Sequence, residues 1–131
     1  MKAYTDLSQS KKLAKVLPLE SADMCFNISQ RHNMPPLMTP YSKFNEFFNM
    51  ETPDFLIPCW SLAALLEVLD DIIVDDEGNE YSLTISKEEG MYYIYYHDRW
   101  GEVDDIETDC YCDLVDACYE MIIKLYEQKL L

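Results

Sequence analysis

Glycine is scarce in this chain, with three in 131 residues. That leaves little from which to build a Gly-rich loop that cradles phosphate, and no GxGxxG, P-loop or GxSxG pattern occurs. Basic side chains are scarce beyond residue 50. Residues 51–131 hold four of them against 21 acids, while residues 1–50 hold six against four. The overall charge is −15, and from Glu67 to Asp113 sixteen acids face only Lys87 and Arg99. A field of that sign repels phosphate, which argues against direct contact with nucleic acid or an anionic membrane. No apolar run approaches the ~20 residues of a membrane span, and the start, MKAYTDLSQSKKLAKVL, has no apolar signal core. The five cysteines are odd in number, which fits free thiols in a reducing cytoplasm better than a disulfide framework.

What is present is globular. Apolar residues make up 49% and aromatics 13%, enough for one domain of this length to bury a core without disulfides or metal. The expectation is a single domain, 1–131, of the α+β class. Leu7, Leu13, Ala14 and Leu17 predict a helix over 6–17, capped by Thr5 or Asp6 and stopped by Pro18. Met24, Phe26 and Ile28 alternate with polar residues, as in a short strand. RHNMPPLMTP, 31–40, reads as a loop, and Phe44, Phe47 and Phe48 suit a short helix over 41–50. Pro58 and Ser61 mark the start of a helix that buries Leu62, Leu65, Leu66 and Leu69.

After an acidic turn, VDDEGNE, the period changes to two. Tyr81, Leu83 and Ile85 share one face of a strand over 81–86, KEEG makes the hairpin loop, and MYYIYYH returns over 91–97. A third strand is expected over 102–107, at an edge guarded by its charges, with 24–29 as a candidate fourth. The last helix, 114–129, is predicted from Leu114, Cys118, Met121, Ile122 and Leu125. Asp113 and Asp116 stand as a carboxylate variant of the capping box. The expected architecture is a three- to four-stranded antiparallel sheet against two to three helices.

MYYIYYHDRW raises the question of a base-stacking platform. Such platforms need a basic surround, and here Glu88, Glu89, Asp98, Glu102, Asp104 and Asp105 flank the aromatics. A strand packing on both faces, or a protein-binding patch, accounts for the tyrosines better. Cys110–Tyr111–Cys112 resembles half of a zinc site, but structural zinc takes four ligands, and Cys25, Cys59, His32 and His97 are isolated while Cys118 falls on a helix core face. Neither Gly78 nor Gly101 fits the glycine of a calcium loop, because Ile73 and Tyr96 fall where the first carboxylate belongs. His97 beside Asp98 is no more than a turn contact. No catalytic, metal or cofactor residue is assigned.

Three blocks carry a resemblance: DLSQSKKLAKVLPLESADM (6–24), IPCWSLAALLEVL (57–69) and DACYEMIIKLYEQKLL (116–131), about a third of the chain. In these the sequence resembles a family of short uncharacterised proteins encoded by gut Bacteroidetes and by their phages and mobile elements. Residues 25–56 and DCYCDLV depart from the family pattern. Where the family opens its last helix with Asn-Pro, Asp113 and Leu114 stand here, which keeps a cap and drops the proline. The resemblance implies a mobile-element setting and supplies no mechanism. The expected function is a non-catalytic acidic protein-binding module. Its surface would be drawn from Asp75, Asp76, Glu77, Tyr92, Tyr96, Asp98, Trp100, Glu102, Asp104 and Asp105, and its partner would be a protein, basic by complementarity. Three alternatives stand beside it: a DNA mimic that occupies a DNA-binding or defence protein, a small enzyme, and acids that serve solubility alone.

Overall fold

The computed structural model describes residues 1–28, Pro36 and 55–131. The expected helix over 41–50 and nearly all of the expected loop over 31–40, His32 included, lie outside the described residues. The elements are α1 (Leu7–Leu13), β1 (Met24–Asn27), β2 (Leu56–Cys59), α2 (Leu62–Val68), β3 (Ile72–Val74), β4 (Glu80–Glu88), β5 (Met91–Asp98), β6 (Ile106–Glu107) and α3 (Leu114–Glu127), with a 3-10 turn at Leu19–Ser21. Among the described residues, three helices and two antiparallel sheets make an α+β fold. The chain clusters into two compact units, Ala3–Ala64 and Leu65–Leu131 with Met1–Lys2.

In the unit Ala3–Ala64, Asp6 opens α1 with a reciprocal capping box. Its carboxylate accepts the Gln9 N–H at 2.8 Å, and the Gln9 amide oxygen accepts the Asp6 N–H at 3.1 Å. The helix stops at Leu13, four residues before the expected end. Turn bonds from the Val16 and Leu17 N–H groups to the Leu13 carbonyl, at 3.0 and 2.8 Å, complete the segment. β1 pairs antiparallel with β2, Met24 opposite Cys59 and Asn27 opposite Leu56, in a sheet of two strands. The strand expected over 24–29 therefore joins β2 and not the larger sheet. Pro58, expected to mark a helix start, lies instead in β2, Leu56–Cys59. Pro58 is tolerated there because each strand of a two-stranded sheet is an edge. Ser61 caps α2, its Oγ accepting the Ala64 N–H at 3.1 Å, and its own N–H is held by Asp23 at 2.9 Å. Trp60 is fully buried, with its indole N–H donating to Ser21 Oγ at 2.9 Å.

In the unit Leu65–Leu131, the larger sheet runs β3-β4-β5-β6, all antiparallel. β3, for which the sequence predicts no strand, buries Ile73 and leaves Ile72 and Val74 exposed. The hairpin loop is tighter than expected. Glu88 pairs with Met91, and only Glu89 and Gly90 lie between, at φ 50° and 79°, the two left-handed residues of a type I′ turn. β6 shrinks from the expected 102–107 to two residues at the edge, because Glu102 and Val103 are held elsewhere, as described below.

The pleat sorts the tyrosines. Tyr81, Ile94 and Tyr96 are buried on the face that α3 covers, and Tyr96 donates its hydroxyl to the Asp70 carbonyl at 2.6 Å. Tyr93 and Tyr95 stack on the other face, ring centroids 5.9 Å apart. α3 buries Val115, Ala117, Cys118, Met121, Ile122 and Leu125, with Val115 in place of the expected Leu114. Asp113 precedes α3 without capping it by its side chain. It accepts the Lys2 N–H at 2.7 Å, while Asp116 pairs with Lys2 Nζ at 2.9 Å. Those two carboxylates fasten the N-terminus of the chain to the helix start, a role that only the fold reveals. Among the described residues no helix is long and apolar enough to cross a membrane.

Ile94→Ala should cost about 2–5 kcal/mol in urea unfolding, whereas Ile85→Ala, on the same face but 39% exposed, should stay within about 1 kcal/mol. Alkaline pH should also unfold the protein. Burial and the neighbouring Asp70 and Asp71 charges push Tyr96 above its ordinary range, and burial pushes Cys118 up to about 12. A raised folded value means stability that is whole below the ordinary pKa and is lost as pH climbs toward the folded one. The melting temperature should therefore fall steadily above about pH 9. A flat profile to pH 11.5 would contradict the burial of these groups.

Candidate protein-binding site

Two loops meet at one end of the four-stranded sheet, and they share a spacing. Asp75-Asp76-Glu77-Gly78 links β3 to β4, and Asp98-Arg99-Trp100-Gly101 leaves β5. In each, the aspartate carbonyl accepts the glycine N–H at 3.1 Å, and the glycine sits at positive φ, 84° for Gly78 and 68° for Gly101. In each, the aspartate carboxylate also accepts the N–H groups two and four residues on. For Asp75 these are Glu77 and Asn79, both at 2.9 Å; for Asp98 they are Trp100 at 3.3 Å and Glu102 at 2.6 Å. Asp75 adds the Asn79 side-chain amide at 2.9 Å and the Tyr81 hydroxyl at 3.1 Å, and Asp98 adds the Val103 N–H at 3.0 Å. Short aspartate side chains reach backbone donors this way and fix the turn.

The two loops are tied to each other through Glu80. Its carbonyl accepts the Arg99 N–H at 2.9 Å, and its carboxylate meets the Arg99 guanidinium at 3.2 Å. The result is a rigid rim whose outward residues are Asp76, Glu77, Trp100, Glu102, Asp104 and Asp105, all exposed, with Trp100 73% exposed. Beside Trp100 lies an open acidic recess of about 610 Å³, lined by Gly101, Val103, Asp104, Asp105 and Glu107. Glu107, Glu80 and Val103 were not among the residues the sequence singled out. The repeated D-x-x-G spacing was the available signal.

Of the ten expected surface residues, Asp76, Glu77, Trp100, Glu102, Asp104 and Asp105 gather here, and Asp75 holds the turn beneath them. Asp98 is corrected: at 1% exposure it is the buried anchor of the loop, and no partner can touch it. Tyr96 is corrected likewise, being wholly buried against the Asp70 carbonyl. Tyr92 is half-buried under the Lys87 ammonium, 5.3 Å from its ring centroid, near the opposite end of β5. The strand from Tyr92 to Asp98, about 20 Å long, separates it from the Trp100 loop, so it belongs to a different surface.

The rim presents carboxylates around one exposed indole. The oxygens of Asp75 and Asp98 are engaged by N–H and O–H donors, which leaves them poor ligands for a hard cation. Among the described residues no group of three or more His, Cys, Asp or Glu is placed to hold a metal ion. His97 Nδ1 lies 3.1 Å from Asp105 Oδ1, and both side chains are exposed. Cys25, Cys59 and Cys118 are buried, while Cys110 and Cys112 are exposed at the far end of the sheet. The chain matches no family model, no curated protein and no solved structure in comparison.

Burial opposes ionisation of Asp98, but the Val103, Glu102 and Trp100 N–H groups outweigh it and hold the carboxyl below its ordinary range; hydrogen bonds from Asn79 do the same for Asp75. A lowered folded value gives stability that is present above the ordinary carboxylate pKa and lost as pH falls through the folded one. Both loops should therefore loosen together below about pH 4, read as a change in Trp100 emission in a Trp60→Phe background. Emission that stays constant to pH 2 would contradict the anchoring role of Asp98.

Proposed function

We propose that this chain is a non-catalytic, cytoplasmic accessory protein that binds a basic partner protein through the rim formed by its two D-x-x-G loops. The observation that carries the reading is Trp100, a large aromatic left 73% exposed on a loop whose backbone is pinned by a buried carboxylate. An exposed tryptophan on a mobile loop would lose much of its binding energy to ordering. Held in place, it has the character of an interface anchor. The acids around it and the recess lined by Asp104, Asp105 and Glu107 suit the entry of a lysine or arginine side chain. The resemblance of residues 6–24, 57–69 and 116–131 to proteins of gut Bacteroidetes, their phages and mobile elements supplies the setting.

The DNA-mimic alternative asks for carboxylates in two rows at duplex spacing. The acids of β4 and β5 are Glu80, Glu88 and Asp98, all at strand ends, with Lys87 and Arg99 among them. This distribution favours a localised protein contact over a long mimic of phosphate.

A tagged full chain should retain one basic protein from host lysate, and Trp100→Ala should weaken that complex by about 2 kcal/mol or more, roughly 30-fold, as hot-spot truncations do. Asp104→Asn with Asp105→Asn should make the residual binding less sensitive to salt. A partner retained equally by Trp100→Ala, or one displaced by duplex DNA, would count against this reading.

A further inference from the structure

The far end of the same sheet brings two sulfur atoms into contact and sets a third on the adjoining cleft. Tyr92 and Tyr111 exchange both backbone hydrogen bonds, at 2.6 and 2.8 Å, in an antiparallel bridge. Such a pair sets its flanking residues opposite one another on the reverse face, here Met91 opposite Cys112 and Tyr93 opposite Cys110. The side chains agree with that register. Cys112 Sγ lies 3.5 Å from Met91 Sδ, and Cys110 lines an open cleft of about 500 Å³ with Met91, Tyr93, Glu88 and Glu89. Cys110 and Cys112 are both free and exposed.

We infer that Met91, Cys110 and Cys112 form a binding site for one soft monovalent cation, Cu(I). Sulfur ligands about 2.3 Å from a shared metal lie about 4 Å apart, and the Met91–Cys112 separation of 3.5 Å is within a small side-chain adjustment of that. Two thiolates and a thioether are a soft ligand set of the kind that selects Cu(I). Zinc would ask for four ligands, and no group of three His, Cys, Asp or Glu exists to supply them among the described residues. The two hydrogen bonds of the Tyr92–Tyr111 bridge preorganise the ligands, since they fix both segments before any ion arrives. Glu88 and Glu89, exposed on the cleft, attract the cation without competing for it, being hard oxygen donors. Binding is coordination without redox change. The two thiol protons pass to solvent, each sulfur gives an electron pair to the metal, and the resulting centre carries one net negative charge. This site is separate from the Trp100 rim and stands or falls independently of it.

The test uses the full reduced chain under argon, titrated with Cu(I) against a chromogenic Cu(I) chelator, with X-ray absorption on the loaded protein. One ion per chain with a sulfur-only shell is expected. Cys110→Ser and Cys112→Ser should each abolish stoichiometric binding. Met91→Leu, close in volume and checked for native circular dichroism, should weaken it at least about tenfold, no less than the loss of an outer-shell partner costs a metal site. The double variant Cys110→Ser with Cys112→Ser keeps the three buried thiols. If it binds Cu(I) as well as the native chain, the assignment is wrong. It is equally overturned if the native chain fails to compete with the chelator, or if Zn(II) binds as tightly and with the same stoichiometry.

Discussion

The Asp98 carboxylate is the point on which the candidate site depends. It lies at the end of β5, on the buried side of the pleat, and it accepts three backbone N–H groups from the loop that follows. Without those bonds the loop would hold three unpaired donors near a buried position, which is costly. With them the loop is closed and Trp100 has nowhere to go but outward. Asp75 repeats the device one loop away. The chain spends two of its three glycines on these turns and the third on the Glu89–Gly90 hairpin, each at positive φ. Scarce glycine is thus placed where the backbone requires it and nowhere else.

The sheet separates the molecule's chemistry into regions. Its covered face holds Ile94 and Tyr96 under α3, and the hydroxyl of Tyr96 finds a carbonyl partner there. The opposite face carries the stacked Tyr93 and Tyr95. One end bears the acidic rim and the exposed tryptophan; the other bears Met91, Cys110 and Cys112. Because β4 and β5 confine their acids to their ends, strong negative charge and the apolar core do not compete for the same positions. That separation lets the unit Leu65–Leu131 keep a packed interior despite its many acids.

Much of the fold was legible in the sequence because periodicity reports burial directly. The alternation in YSLTIS and MYYIYYH and the apolar stripe of α3 predicted elements that the structure has. Residues 56–59 misled because Pro58 suggests a helix start as readily as an edge strand, and pairing with β1 is a long-range event that no local pattern announces. Asp113 misled for the same reason, since its partner, Lys2, is at the other end of the chain. Tyr96 and Asp98 belong by polarity to the expected binding surface. Yet the period of two already placed both on the face of Ile94, and their parity was better evidence than their polarity. A buried carboxylate is stable only with several donors, and those donors come from a loop conformation that sequence spacing merely hints at through D-x-x-G.

The most direct test of the account is amide hydrogen exchange at Trp100, Glu102 and Val103 in the native chain and in Asp98→Asn. The account predicts protected amides in the native protein. In the variant it predicts a loss of protection confined to this loop, with the amides of the β4–β5 ladder unchanged. If these three amides exchange freely in the native chain, Trp100 is not held by Asp98, and the rim is no preformed binding surface.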